Sequence, residues 1–306
     1  MLTHATKTTP KTKKKNLFIV NPNAGTKQAK NHLPKILDMF SENGDINSVH
    51  LTCAQGDGIN LAAGYGNSAD RIICIGGDGT FSEVVTGMKL AGCDIPVGYI
   101  PAGTANDLAA SLNLSKNIMQ AAKDIIEGSV TLLDIGRFGE RYFSYIASFG
   151  AFTKASYSTP QSSKNMLGHF AYVVEALKEL PSIRPAYIRI ETDTRKIEGE
   201  YIFGSISNSK SVGGVLNLNP GIVDMSDGVF EVLLIKPLTN IQAVWDCVSS
   251  LIAQNYESEH ITFFTTDKAV VYSDPKMNWA LDGECATGRE KIDIQNLRRA
   301  VKVIAK

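Results

Sequence analysis

The sequence predicts an α/β N-terminal domain on a parallel sheet of βαβ units. A mainly antiparallel β-sandwich C-terminal domain follows, with a cleft between the two. Three observations predict this. From Asn16 to about Gly128, short apolar runs alternate with helical stretches, the pattern of right-handed βαβ units. From about Ser129, strand-like segments follow one another with few helices, as in a sandwich or barrel. The length of 306 residues is enough for two domains that each bury a core. The expected division is a basic tail over 1–15, an α/β domain over 16–128 and a β-rich domain over 129–306.

The elements are justified in order. Leu17–Val20 is an apolar run of strand length, followed by the turn Asn21-Pro22-Asn23-Ala24-Gly25 and a helical segment to about Phe40. Val49–Leu51 reads as a second strand. Arg71–Ile75 is a third, ending in Gly76-Gly77-Asp78-Gly79-Thr80 before a helix over Phe81–Lys89. Val97–Ile100 is a fourth, ending in Pro101-Ala102-Gly103-Thr104-Ala105-Asn106-Asp107 before another helix. In the second half the expected strands are Thr131–Ile135, Tyr142–Ile146, Ala186–Glu191, Tyr201–Ser205, Val229–Ile235, Ile261–Thr265, Val270–Ser273, Trp279–Asp282, Lys291–Ile294 and Ala300–Ile304. Two helical stripes interrupt them: Met166, Phe170, Val173, Leu177, Leu180, and Ile241, Val244/Trp245, Val248, Leu251/Ile252. Such stripes face a core or a lipid surface.

Composition narrows the classes. With 43% hydrophobic and 20% charged residues the chain reads as globular. No run approaches the ~18 apolar residues of a membrane span. The first fifteen residues hold five lysines and no acid, leaving 26 basic against 31 acidic residues in the remainder, a net −5. An acidic body argues against nucleic acid as a partner. The tail reads as a solvated segment or one drawn to anionic lipid, at about 1 kcal/mol per lysine. Five scattered cysteines without a CxxC pair, and no signal-peptide pattern, suggest a reducing cytoplasm with buried or inert thiols. The five histidines form no zinc-type cluster.

Chemistry concentrates in four places. Gly76-Gly77-Asp78-Gly79-Thr80 lies between a strand and a helix, where glycines admit a phosphate to the backbone and a helix N-terminus supplies free N–H groups. It is neither a P-loop nor a dinucleotide fingerprint. Asp78 would repel a bare phosphate and fits Mg²⁺ bridging to a nucleotide, directly or through water; the alternative is a tight turn with Asp78 as helix cap. The turns Asn21–Gly25 and Pro101–Asp107 are expected at the same sheet edge, where open α/β sheets bind ligands. There, Thr104 and Asn106 bond phosphate or ribose, or cap helices. Leu281-Asp282-Gly283-Glu284 offers a general base with an orienter or metal contact, or a simple Asp-Gly turn.

GGDGT followed by Phe81-Ser82-Glu83, the upstream NPNAG, the downstream PAGTANDLA and the distal LDGE resemble, in this order, the diacylglycerol kinase catalytic-domain family, in particular its bacterial soluble lipid kinases. The resemblance spans about Asn16 to the C-terminus. It implies an ATP- and Mg²⁺-dependent kinase that phosphorylates a lipid hydroxyl, such as that of diacylglycerol, giving phosphatidic acid. It implies ATP contacts at Asn21, Asn23, Gly25, Thr52, Gly76, Gly77, Asp78, Gly79, Thr80, Phe81, Ser82, Glu83, Gly103, Thr104 and Asn106. Glu284 would accept the hydroxyl proton, with Asp282 beside it and Asp78 serving the Mg·ATP. A structural Mg²⁺ would bind the Asp227 carboxylate and the carbonyls of Asp224 and Val229. Peripheral membrane contact and a homodimer are further expectations. The rival readings are a kinase for NAD or a sugar phosphate, and a nucleotide- or lipid-binding regulator without turnover.

Overall fold

The structure, a computed structural model, describes residues 13–150, 184–209, 211–212, 216–217 and 224–306. The expected helix over Met166–Leu180 lies outside the described residues. Strands β1 (Lys15–Val20), β2 (Ile46–Leu51), β3 (Arg71–Gly76) and β4 (Val97–Pro101) form a parallel sheet in the order β2-β1-β3-β4. The three strands inside that order are continuous apolar runs because both faces are covered. On one face Phe18, Val20, Ile73, Ile75 and Ile100 pack against helices α1 (Gln28–Glu42) and α5 (Ile118–Glu127). On the other, Leu17, Ile19, Ile72 and Cys74 meet α2 (Asp57–Tyr65) and α3 (Asp78–Leu90). The chain leaves β1 toward β2 and returns across it to β3. The carboxyl ends of β1 and β3 therefore flank a topological switch point, the place where such sheets open a ligand crevice.

The second half is β-rich. Its strands are β5 (Ser129–Phe138), β6 (Arg141–Phe143), β7 (Ile146–Gly150), β8 (Ala186–Glu191), β9 (Lys196–Tyr201), β10 (Phe203–Ser207), the short pair β11 (Ser211–Val212) and β12 (Leu216–Asn217), β13 (Phe230–Ile235), β14 (Ile261–Thr266), β15 (Lys268–Tyr272), β16 (Asn278–Leu281), β17 (Glu284–Thr287) and β18 (Lys291–Ala305). A six-stranded antiparallel sheet runs β14-β13-β10-β7-β16-β17. It faces β18, β15, β8 and β9 across a core that holds Phe143, Phe149, Ile188, Val271, Trp279 and Ile292. Trp279 stacks edge-on to both Phe138 and Phe149 at 5.0 Å. The outer face of the six-stranded sheet carries helix α6 (Ile241–Ile252), which buries Val244 and Cys247 and exposes Ile241, Trp245 and Ile252.

Three expectations change in detail. The two strands foreseen over 291–294 and 300–304 are one strand, β18, carrying an irregularity between Leu297 and Val301 with Arg299 at φ 51°. β18 pairs antiparallel with β5 and β15 and parallel with β4, through Val303↔Val97, so one ten-stranded sheet joins the parallel half to the sandwich. The strand foreseen over Tyr142–Ile146 breaks into β6 and β7, because the intervening N–H groups turn to a carboxylate described below. All five cysteines are unpaired; Cys74, Cys93 and Cys247 are buried, and Cys53 and Cys285 are exposed.

Candidate active site

Arg71–Gly76 delivers the chain to a turn in which Gly77, in extended conformation, precedes the first residue of α3. The opening turn of an α-helix leaves its N–H groups without intrahelical partners. Here that turn is Asp78-Gly79-Thr80. The loop after β4 approaches so closely that a Cβ on Gly103 would stand 2.5 Å from the Gly77 Cα, so glycine is required where the two loops meet. Asn106, at φ 55°, braces this loop by accepting from the Gly103 N–H and donating to the Gly103 carbonyl, both at 2.9 Å. The turn after β1 joins them: Asn21 Nδ2 donates to Thr80 Oγ1 at 3.2 Å, while its Oδ1 accepts from the Asn23 N–H.

Between these loops lies a cavity of about 420 Å³. Of the expected nucleotide contacts, Asn21, Asn23, Gly25, Thr52, Gly77, Gly79, Thr80, Glu83 and Gly103 line it. Cys53, Ala54 and Gln55, which sequence reasoning missed, line it as well, and so does Glu284 from the far half of the chain.

The remaining expected contacts stand elsewhere. Phe81 is wholly buried and packs on Tyr99 at 4.9 Å, because the first helical turn points it into the core. Gly76 is buried, its carbonyl accepting from the Ala102 N–H at 2.7 Å. Thr104 is exposed away from the cavity wall, and the Asn106 side chain is engaged with Gly103. Ser82 is buried and donates to Asp282.

Asp78 is neither the cap of α3, a place taken by Gly77, nor on the cavity wall. Its Oδ2 accepts from the Asp107 N–H at 2.9 Å, and its Oδ1 from Tyr99 Oη at 3.2 Å and the Leu108 N–H at 3.3 Å. The carboxylate thus ties the glycine loop to the start of α4 (Asp107–Ser111). Burial raises its pKa against these hydrogen bonds. Asp107, partly buried beside it, is pushed up to about 6. Direct metal coordination by Asp78 would require these bonds to be broken.

Leu281 and Glu284 pair on either side of a two-residue hairpin turn between β16 and β17, whose residues Asp282 (φ 49°) and Gly283 (φ 84°) are both left-handed. That is the type I′ geometry for which Asp-Gly is suited. Asp282 is buried and accepts three backbone N–H groups: Ser144 at 2.5 Å, Tyr145 at 3.0 Å and Ile146 at 3.0 Å. Those bonds interrupt the strand between β6 and β7. Burial outweighs them and pushes Asp282 up to about 6. Its carboxylate is an orienter of the turn.

Glu284 instead faces the cavity. Its Oε2 accepts from Gln55 Nε2 at 3.2 Å and lies 4.0 Å from an Arg141 nitrogen. Its Oε1 is the atom that a Cβ on Gly79 would approach to 2.7 Å. Partial burial raises the Glu284 pKa, Glu83 raises it further, and Gln55 and Arg141 oppose the shift.

In the stretch with the expected metal ligands, Val223 lies outside the described residues. The Asp224 carboxylate accepts from Ser226 N–H and Oγ, and Asp227 Oδ1 accepts from the Val229 N–H at 3.0 Å. The Val229 carbonyl accepts from Asn296 Nδ2 at 3.1 Å. Asp134, buried, holds the neighbouring backbone by accepting from Gly228 and Arg299 N–H groups.

Two family models match the chain. Residues 15–138 match a diacylglycerol kinase catalytic domain, and residues 147–305 a YegS C-terminal NAD kinase beta sandwich-like domain. A diacylglycerol kinase of Bacillus subtilis is 32% identical over 293 residues, covering 95% of this chain and 96% of its own. One of Staphylococcus saprophyticus is 31% identical, covering 95% of each. The crystal structure of a diacylglycerol kinase from Bacillus anthracis shares the fold, with a TM-score of 0.77 at 24% identity over 97% of this chain and 99% of that one. On these matches over nearly its whole length, the chain belongs to the diacylglycerol kinase family of lipid kinases.

Proposed function

We propose that this chain transfers the γ-phosphoryl group of ATP to the free hydroxyl of diacylglycerol, giving phosphatidic acid. The observation that carries the reading is the meeting of Glu284 Oε1 with the glycine loop at one cavity: a carboxylate beside a phosphate cradle is the arrangement that transfer to a hydroxyl uses. The backbone at Gly77, Gly79 and Thr80 would hold phosphate oxygens, with Asn21 and Thr52 lining the same cavity. The acceptor oxygen attacks the γ-phosphorus, the bond to the β–γ bridging oxygen breaks, and the hydroxyl proton passes to Glu284 Oε1. Positioning carries most of such a reaction.

Mg²⁺ would supply charge neutralisation at the phosphates. The carboxylates on the cavity wall are Glu83 and Glu284, not Asp78. At the separate stretch, Asp227 keeps one carboxylate oxygen without a partner among the described residues. With the carbonyls of Asp224 and Val229 it makes an all-oxygen set suited to a hard divalent cation.

The reading requires access to a lipid surface. No helix among the described residues is long and apolar enough to cross a membrane. The exposed strip Ile241, Trp245, Ile252 and the five lysines of the first fifteen residues are the candidate contacts. Co-sedimentation with anionic vesicles that survives both high salt and deletion of residues 1–15 would remove the tail from that role.

The test of function is transfer of labelled γ-phosphate to diacylglycerol, sphingosine, ceramide and a polyprenol in mixed micelles, with NAD and fructose 6-phosphate as soluble acceptors. Label in diacylglycerol bears the proposal out. Label only in NAD overturns it in favour of the chemistry named by the second family model.

A further inference from the structure

Gln55 is the residue that joins the first half of the chain to Glu284, 229 positions away. It stands on the loop between β2 and α2, and that loop is held from two sides. Asp57 Oδ2 accepts from the Cys53 N–H at 2.7 Å and the Ala54 N–H at 2.9 Å. Glu83, from α3, accepts from the Gly56 N–H at 2.6 Å and the Gly58 N–H at 3.0 Å. Gly58 packs so tightly that a Cβ there would come within 2.7 Å of Glu83 Oε2. Gln55 is the apex of this pinned loop and donates to Glu284 Oε2.

The two oxygens of Glu284 are therefore inequivalent. Oε2 is held by Gln55 and faces Arg141, whereas Oε1 is directed over Gly79 and has no hydrogen-bond partner among the described residues. A carboxylate with one oxygen held by a hydrogen bond and an ion pair is restricted in its rotation, which favours one direction for its other oxygen. We propose that Gln55 is a positioning residue that fixes the Glu284 carboxylate so that Oε1 is the proton-accepting atom, with Glu83 acting behind it as the anchor of the loop. The assignment rests on Glu284 being the general base. It gives Glu83 a part in aligning the base, distinct from a nucleotide contact.

The experiment is steady-state phosphorylation of the acceptor returned by the panel above, with the full chain carrying Gln55→Met or Gln55→Lys. Methionine keeps the length and loses the donor; lysine restores a donor. Gln55→Met lowers kcat about tenfold while KM for ATP stays within about twofold, the split that marks a group acting in the transition state. Gln55→Lys returns kcat to within about threefold of the parent. Because Gln55 is exposed, the melting temperatures of both variants match the parent.

A Gln55→Met variant with the parent kcat overturns the assignment. So does a loss carried by KM for ATP with kcat intact, which would make Gln55 a nucleotide contact. Glu284→Gln, assayed in parallel, separates the two readings. If Glu284→Gln turns over normally, the base itself is wrong and this inference falls with it. If Glu284→Gln is inactive and Gln55→Met is not impaired, the base stands and Gln55 alone is excluded. Adding Gln55→Met to Glu284→Gln causes no further loss, and a further loss overturns the proposal.

Discussion

A methyl group on Gly79 would stand 2.7 Å from Glu284 Oε1, closer than real Cβ atoms come to a neighbour. The proposed base and the glycine loop thus lie against each other in this structure. Gly79→Ala forces the Glu284 side chain aside, and because that side chain is flexible the fold survives. The expected outcome is a kcat lowered about tenfold or more with a melting temperature within a few degrees of the parent, read from initial rates and a thermal melt.

Gly103 makes a harder demand. The atom that its added Cβ would meet, at 2.5 Å, is the Gly77 Cα, and backbone cannot swing away as a glutamate does. Gly103→Ala separates the loops after β3 and β4 and opens the cradle between them. Calorimetric titration with ATP is expected to show binding weakened by about tenfold or more, whereas Gly79→Ala leaves it much less affected.

The pH dependence follows from the proposed base. Glu284 must be ionised to accept a proton, and partial burial together with Glu83 raises its pKa above 4.5. The rate therefore falls as pH drops through that raised pKa, and the acid limb of kcat is shifted up relative to a free glutamate. Arg141 opposes the shift, so Arg141→Gln moves the limb further up. Glu284→Gln removes the base altogether and costs about 10²–10⁴-fold in kcat, while ATP titration remains near that of the parent.

The parallel half was legible because β1, β3 and β4 are uninterrupted apolar runs bounded by glycine and proline turns, and those turns necessarily sit at one sheet edge. The cavity wall contributed by Asn21, Gly77, Thr80 and Gly103 follows from that alone. What local pattern cannot carry is long-range pairing. Ser144 to Ile146 continues a strand pattern, and only the carboxylate of Asp282, 136 to 138 positions later, turns those N–H groups away. Phe81 directly follows the GGDGT run, yet helix geometry sends it to the core beside Tyr99. Gln55 carries no motif at all; the signal that could have found it is its place in the turn directly after Thr52, itself a foreseen wall residue.

Asp282 gives the last prediction, one that separates positioning from chemistry. Its two oxygens receive three N–H groups, one on Oδ2 and two on Oδ1, and the turn they stabilise carries Glu284 two residues on. Asp282→Asn keeps the size but replaces one acceptor oxygen by an NH₂ group. Whichever way the amide lies, at least one of the N–H groups of Ser144, Tyr145 and Ile146 then faces a donor. A buried donor left unpaired costs about 1–3 kcal/mol. Asp282 is absent from the cavity wall, so ATP affinity is expected to hold while denaturant midpoint and kcat fall together. If instead kcat collapsed at parental stability, Asp282 would be acting on the reacting groups themselves rather than through the turn.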